Sequence, residues 1–145
     1  MYLLGHVALG YFAARTVRRI THENSSIPLI WLVSLLPDVD LLISGLQHRG
    51  PTHSIIIALL LFTPILIILK RGLAYLAALA THTVIGDYFT SYGCQLLWPI
   101  NTAWMKAPIP LLLRGINEIY LELILFGSMI VIMFLSREAA SNTTP

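Results

Sequence analysis

The stretch His48-Arg49-Gly50-Pro51-Thr52-His53-Ser54 lies between two long apolar segments and contains two of the five histidines in the chain. A second polar stretch, Pro37-Asp38-Val39-Asp40, interrupts the apolar run before it and contains two of the three aspartates. An ionisable side chain at membrane depth costs several kcal/mol unless it is paired or bound to a metal. The two stretches therefore predict one half of a metal site, which other parts of the chain complete.

The composition predicts an integral membrane protein. Hydrophobic residues make up 57% of the 145 residues and charged residues 11%, against about a quarter charged in soluble domains. The mean hydropathy is +0.78, and the length predicts one domain, residues 1–135, followed by a polar tail, residues 136–145. The net charge of +2 gives no sign of a nucleic-acid partner, and the single cysteine, Cys94, excludes a cysteine-rich zinc module.

Five apolar segments predict an all-α bundle of about five transmembrane helices, a multi-pass protein of the inner or plasma membrane. These segments are residues 2–17, 27–46, 53–69, 73–92 and 116–135. The link over residues 93–115 contains Trp98 and Trp104. Tryptophan prefers the membrane interface, so this link could form the rim or lid of a site, or a plain anchor.

The basic residues predict an orientation with the N-terminus outside and the C-terminus inside. Cytoplasmic loops are enriched in lysine and arginine, and this orientation places six basic residues inside and three outside. The inner set is Arg15, Arg18, Arg19, Lys70, Arg71 and Arg137, and the outer set is Arg49, Lys106 and Arg114. The candidate ligands then share one depth near the extracytoplasmic face, and the opposite orientation would move the whole cluster to the cytoplasmic face.

Imidazole and carboxylate side chains in five parts of the chain are candidate metal ligands, and together they suit zinc, and also manganese or iron. They are His6, Asp38, Asp40, His48, His53, His82 and Asp87. Asp38 and Asp40 would diverge on an ideal helix but share one face of an extended or turning segment, where they could bridge two metal ions. His82 and Asp87 are five residues apart, about 140° round an α-helix, and converge only loosely.

Three further residues are candidates for catalysis. Glu118 and Glu122 lie on one face of the last segment and could supply a ligand and a general base, or an interfacial partner for Arg114. Arg49 could hold a phosphate oxygen, or anchor the chain among the headgroups. The sequence contains no Gly-rich phosphate loop, HExxH motif or nucleophile elbow, so a metal-activated water is the expected nucleophile.

The motifs resemble the LexA-regulated, membrane-bound metal-dependent hydrolases, a family of small inner-membrane proteins. The resemblance rests on Gly5-His6, Leu36–Asp40, His48–Ser54 and the His82-to-Pro99 region. The order of these residues is also similar to the zinc-dependent phospholipase C and P1 nuclease superfamily, all-helical enzymes in which a zinc cluster cleaves phosphodiesters. The resemblance implies a phospholipase C-like bundle, a late acidic role for Glu118 or Glu122, and a set of metal ligands. That set is His6, Asp38, His53, His82 and Asp87, with Asp40 and His48 as further candidates.

Together these features predict a membrane hydrolase that binds two or three divalent ions, most suitably zinc. The expected reaction is attack of water on a phosphoester of a membrane lipid, with Arg49, Trp98 and Trp104 near the substrate. Two alternatives use the same residues: a small metal or proton transporter, and a membrane protein with a purely structural metal site. The oligomeric state is left open.

Overall fold

The computed structural model describes residues 2–69, 71–89, 92–108 and 116–136. The α-helices of this part of the chain are α1 (Leu3–Thr21), α2 (Ile27–Ser34), α3 (Ile55–Leu69), α4 (Leu73–Thr81) and α5 (Ile116–Leu135). Two 3₁₀ segments, Leu36–Leu42 and Pro51–His53, and a π-helical segment, His82–Tyr88, connect them. The predicted all-α fold is confirmed for the described residues, where a single isolated bridge pairs Cys94 with Met105.

Helix α1 packs against α2, α4 and α5 and so occupies the centre of the fold. Its face toward α5 buries Val7, Ala8 and Tyr11 against Met129 and Met133. A second buried cluster contains three small residues of the two helices: Ala14 of α1 and Ala74 and Ala78 of α4, with Ile30 of α2. Small side chains let helix backbones approach closely where no hydrophobic effect drives association, as in a membrane.

The approach of α1 to α2 is closest at Gly10. A Cβ atom at this position would lie 1.9 Å from Ser34 Oγ and 2.8 Å from Ser34 Cβ. Because a real side chain cannot occupy that space, glycine is required for the two helices to pack as they do. Ser34 is the last residue of α2 and leads directly into the 3₁₀ segment that contains Asp38 and Asp40.

The structure does not support five membrane spans. Among the described residues, α5 is the one helix long and apolar enough to cross a membrane, with a mean hydropathy of 2.1 over Asn117–Leu135. Helix α3 has 15 residues, about 22 Å at 1.5 Å per residue, which is shorter than a hydrocarbon core of about 30 Å. Helix α1 has 19 residues but carries Arg15, Arg18 and Arg19 in its second half.

Two predicted spans are broken by local structure. The predicted segment 27–46 is α-helical for only eight residues, because Pro37 lacks an N–H group and the chain tightens into a 3₁₀ turn there. The predicted segment 73–92 leaves α geometry after Thr81 and continues as the π-helical segment. Both breaks lie where the ionisable residues are concentrated.

Most of the surface of α5 is apolar and exposed, since only 22% of its spanning window is buried. A core helix of a soluble domain would be mostly covered by protein. The predicted tail lies outside the described residues beyond Ser136, so the division into a domain and a tail stays a prediction. Lys70, Arg114 and Arg137, which were used to predict the orientation, also lie outside the described residues.

A candidate metal centre

Four donor atoms from three separate segments lie together in the interior. His53 Nε2 is 3.3 Å from His82 Nε2, 3.3 Å from Asp38 Oδ1 and 3.3 Å from Asp87 Oδ2. His82 Nε2 is 3.4 Å from Asp38 Oδ1 and 3.2 Å from Asp87 Oδ2. The side chains of His53, His82 and Asp87 are at most 1% exposed, while that of Asp38 is 22% exposed. We call these four residues the central cluster.

Three residues of the central cluster, His53, His82 and Asp87, have the spacing of ligands of a tetrahedral ion. In a regular tetrahedron the ligand–ligand distance is about 1.63 times the metal–ligand bond, so zinc bonds of about 2.0–2.1 Å place ligands about 3.3–3.4 Å apart. Octahedral magnesium with similar bonds would need about 2.8–3.0 Å. The donor atoms of His53, His82 and Asp87 lie 3.2–3.3 Å from one another, which matches the tetrahedral case, and two imidazoles with one carboxylate are a donor set that zinc accepts.

The charges of the central cluster are compatible with a bound cation. The buried carboxylate of Asp87 and the partly exposed carboxylate of Asp38 are both stabilised by positive charge in contact with them. Arg49 Nη2 lies 3.1 Å from Asp87 Oδ1 and compensates one. A cation between the imidazoles would compensate the other, and a protonated imidazole would do the same through the His–Asp contacts. The presence of zinc therefore stays a prediction, which the geometry fits.

The other ring nitrogen of each central histidine has an acceptor of its own. His82 Nδ1 donates to the carbonyl oxygen of Ser34 at 2.6 Å. His53 Nδ1 lies 3.3 Å from Asp40 Oδ2 and 3.1 Å from Thr52 Oγ1. A neutral imidazole that donates from Nδ1 keeps its lone pair on Nε2, so both rings present Nε2 to the cluster in the form that binds a metal.

The π-helical segment explains why His82 and Asp87 converge. Its hydrogen bonds run between residues five apart, so residues five apart lie close together on one face. In an α-helix the same pair would diverge, and the sequence analysis, which assumed α geometry, predicted only loose convergence. The structure corrects this: the two donor atoms are 3.2 Å apart. Single π turns inside α-helices are frequent at functional sites.

The two aspartates of the 3₁₀ segment contact the same histidine from opposite sides. Asp38 approaches His53 at Nε2 and Asp40 approaches it at Nδ1. The hypothesis that the two aspartates bridge two metal ions required them to share one face. The structure corrects this, because they lie on different sides of the His53 ring. Asp40 Oδ2 also accepts from Arg49 N at 3.1 Å and Thr52 Oγ1 at 2.7 Å, and Oδ1 lies 3.0 Å from His48 Nδ1. These contacts favour Asp40 as the residue that orients His53 and His48 behind the cluster.

Arg49 is buried and strained, and it connects several parts of the site. Its backbone is left-handed, with φ of 66°, a conformation that non-glycine residues rarely adopt. Its guanidinium pairs with Asp87 and lies 4.4 Å from the centroid of the Tyr92 ring. Its carbonyl oxygen accepts from Gln95 N at 2.9 Å. Arg49 therefore joins Asp87 of the π-helical segment to the loop that leads to His53.

His6 enters the site from α1 by stacking on His82, with ring centroids 3.7 Å apart. The space for its ring exists because residue 86 is glycine: a Cβ there would lie 2.2 Å from His6 Cε1 and 2.5 Å from Nδ1. Nδ1 of His6 is buried and has no hydrogen-bond partner among the described residues. His6, Asp38 and His82 form a second possible ligand set, and Asp38, His48 and His53 a third.

A cavity of about 590 Å³ lies beside Asp38 and His6. Its wall combines polar and aromatic side chains: Tyr2, Leu3, His6, Asp38, Leu41, Gln47, His48, Arg49, Tyr92, Trp104 and Glu118. Trp104 is therefore part of the cavity wall, and its indole N–H donates to Tyr92 O at 2.8 Å; its contact with a substrate stays a prediction. Trp98 is not part of this wall; its carbonyl oxygen accepts from Ser54 Oγ at 2.5 Å.

The two glutamates of α5 have different surroundings in the structure. Glu118 is 7% exposed and lines the cavity. Glu122 accepts from Gly5 N at 3.2 Å and also from Tyr2 N, so it caps the first turn of α1. No side chain of the residues just before α1 provides this cap. The geometry favours Glu118 over Glu122 as a general base.

Sequence reasoning missed four contributors to the site. The carbonyl of Ser34 and the ring of Tyr92 have no sequence signal of their own. Thr52 lies inside the His48–Ser54 stretch, and Gly86 precedes Asp87, so proximity to the predicted ligands could have indicated both.

Cys94 is buried, which raises the pKa of its thiol to about 12, so the thiol stays protonated at neutral pH.

The candidate roles of the predicted residues stay predictions, but comparison with known proteins establishes the family. No curated protein and no solved structure matches the chain. A family model described as YdjM inner membrane protein matches residues 1–142. This match agrees with the resemblance to the LexA-regulated inner-membrane family, while the similarity to phospholipase C stays a prediction. The chain belongs to the YdjM inner membrane protein family, and its place is in a membrane.

Proposed function

We propose that the chain is a membrane-embedded, metal-dependent hydrolase that cleaves a phosphoester in a phospholipid or a lipid-linked phosphate. The observation that carries the proposal is the central cluster, in which two imidazole nitrogens lie 3.2–3.4 Å from each other and from an oxygen of each of two carboxylates, beside a cavity. A bound divalent cation would supply Lewis acidity there and lower the pKa of a coordinated water.

The cluster has three enclosed ligands and one that faces the cavity. His53, His82 and Asp87 are fully enclosed, whereas the Asp38 side chain is partly exposed and lines the cavity. Catalytic zinc sites keep three protein ligands and a fourth position for water or substrate, whereas structural sites are closed by four. In a hydrolase, His53, His82 and Asp87 would be the three ligands, and the fourth position, next to Asp38 and the cavity, would be open to water or substrate. The sets that contain His6 and His48 provide positions for a second or third ion.

Other side chains of the cavity would act on the substrate directly. Glu118, which lines the cavity, would accept a proton from the attacking water as the general base. Arg49 lines the same cavity, and its guanidinium could stabilise negative charge developing on a phosphoryl group. Trp104 borders the opening, where an amphipathic ring suits the membrane interface.

A lipid substrate follows from the position of the site relative to α5. The cavity residue Glu118 lies at the start of the apolar window Asn117–Leu135, so the cavity is at one edge of the span. A site at that depth meets phospholipid headgroups without extracting the lipid. The multi-pass topology, with the site near the extracytoplasmic face, the N-terminus outside and the C-terminus inside, is part of this proposal. Reporter fusions at the two termini test the orientation.

The alternative that a specific observation favours is a structural zinc site, because four protein donors can close a tetrahedron. The two functions differ in their response to removal of Asp38. In a hydrolase, Asp38→Ala reduces turnover; in a purely structural site, no phosphoester is hydrolysed by either protein. The experiment incubates zinc-loaded protein in detergent with phosphatidylglycerol, phosphatidylethanolamine and phosphatidic acid and measures phosphate-containing products. His22→Ala, which changes an exposed histidine outside the cluster, is the matched control.

A further inference from the structure

A second, apolar crevice adjoins the cavity. It has a volume of about 280 Å³ and lies between the first turn of α1 and the start of α5. Its walls are Tyr2, Leu3, Leu4, Ile119, Glu122 and Leu123. Neither the metal centre nor the proposed reaction uses these aliphatic side chains.

The crevice and the cavity share part of their walls. Tyr2 and Leu3 line both spaces. The rest of the cavity wall includes Asp38 and Arg49, and the rest of the crevice wall is mainly aliphatic. A molecule that occupied both spaces would need a polar, anionic end next to an apolar chain, which is the structure of a phospholipid.

The crevice opens toward the hydrocarbon region. Ile119 is 49% exposed and Leu123 is 54% exposed, and both belong to the apolar window of α5. In the membrane their exposed surface meets lipid chains rather than water. A lipid could therefore enter sideways from the bilayer.

Glu122 makes the crevice compatible with that environment. Backbone N–H groups at the start of a helix have no partner within the helix, and hydrocarbon offers none. The Glu122 carboxylate accepts from the amides of Tyr2 and Gly5, which satisfies them and holds α1 against α5. The crevice walls are thus fixed in place without closing the gap between Leu3 and Leu123.

We propose that the crevice formed by Leu3, Leu4, Ile119 and Leu123 holds a hydrocarbon chain of the lipid whose phosphate group lies in the cavity. This inference rests on the proposed function, because it identifies the apolar part of the same substrate. The occupant is a membrane lipid; an α-helix of a second copy is the competing occupant, and the test below distinguishes the two.

The test is photo-crosslinking of the purified full-length protein with phosphatidylglycerol that carries a diazirine on one acyl chain. We expect crosslinks concentrated in residues 2–4 and 119–123. Labelling spread evenly over the exposed apolar faces of α3 and α5 would overturn the inference, and so would crosslinked protein dimers in place of lipid adducts. This mapping uses the wild-type chain and needs no variant.

Two tryptophan substitutions sharpen the test. Leu123→Trp fills the crevice and should lower labelling of residues 2–4 by about tenfold, since the lipid chain loses its apolar contacts there. Ile130→Trp places the same side chain two turns further along α5, at a residue of similar exposure, 46%, and should leave labelling unchanged. Equal effects of the two variants contradict the inference. If Leu123→Trp does not fold, Ile119→Trp replaces it.

The same experiment on zinc-free protein separates this inference from the proposed function, because binding of a hydrocarbon chain requires neither metal nor turnover. Localised labelling without any phospholipid hydrolysis would retain the crevice and reject the hydrolase. Hydrolysis with evenly spread labelling would retain the hydrolase and reject the crevice.

Discussion

His82 Nδ1 lies 2.6 Å from the carbonyl oxygen of Ser34, at the point where α2 gives way to the 3₁₀ segment. A carbonyl oxygen can only accept, so the ring donates from Nδ1, and in a neutral ring the lone pair of Nε2 is then directed to the central cluster. The contact joins two elements that α1 holds together at Gly10. The packing of α2 therefore helps to decide which ring nitrogen of His82 faces the cluster.

Gly86→Ala should disturb the site by moving His6. The new Cβ would lie 2.2 Å from His6 Cε1, so the ring must leave its stack on His82. Overpacking of this kind costs about 1–3 kcal/mol, and we expect a lower Tm and weaker zinc binding. Gly127→Ala is the matched control: no atom lies within 4 Å of its Cβ, and alanine stabilises a helix by about 0.5–1 kcal/mol relative to glycine. Equal thermal unfolding of both variants would contradict the packing described here.

Asp40→Ala should destabilise the zinc-free protein more than Asp38→Ala. Asp40 accepts from Arg49 N and Thr52 Oγ1 and contacts both His48 and His53. Each buried donor left without an acceptor costs about 1–3 kcal/mol. Asp38 contacts only imidazoles and is partly exposed, so its loss should cost less. The measurement is thermal unfolding in detergent with chelator, and a larger loss for Asp38→Ala would reverse these roles.

Arg49→Lys should weaken the site although the charge is retained. The guanidinium pairs with Asp87 while lying over the Tyr92 ring, and lysine cannot reproduce this planar, stacked geometry. Residues that orient metal ligands contribute about 10–100-fold to affinity, so we expect a loss of that size in zinc affinity, measured by competition with a chromophoric chelator. Arg19→Lys, an exposed position on α1, serves as the control and should bind zinc as the wild type does.

Glu118→Gln and Glu122→Gln should separate catalysis from stability. Removing a general base lowers kcat by about 10²–10⁴-fold, and Glu118 is the glutamate at the cavity. Glu122 caps α1, and loss of a helix cap costs about 0.5–2 kcal/mol. We expect Glu118→Gln to lose turnover at nearly unchanged Tm, and Glu122→Gln to lose Tm first. The reverse pattern would assign the base to Glu122.

The sequence predicted the residue types of the site because the signal was chemical. Histidines and aspartates are rare in apolar segments, and His53, His82, Asp38 and Asp87 meet in the structure. Their individual roles depended on backbone geometry that the sequence does not display. The π-helical segment reversed the expected divergence of His82 and Asp87, and the 3₁₀ segment placed Asp38 and Asp40 on two sides of one ring.

The all-α class was predictable from the apolar segments, whereas the number of spans was not. Hydropathy alone does not reveal that the segment 27–46 changes geometry at Leu35 or that the segment 73–92 leaves α geometry after Thr81. The same breaks carry the ligands, since a regular α-helix could not turn both aspartates toward His53. The 3₁₀ and π-helical segments thus both interrupt the predicted spans and bring the candidate ligands together.

Zinc X-ray absorption spectroscopy of the purified full-length protein, with metal content measured on the same sample, tests the central claim most directly. We predict bound zinc with four nitrogen or oxygen ligands at about 2.0–2.1 Å, imidazole scattering in the spectrum, and loss of the metal in the His53→Ala/His82→Ala double variant. The account is contradicted if the wild-type protein, like the double variant, contains no divalent metal after purification and incubation with zinc.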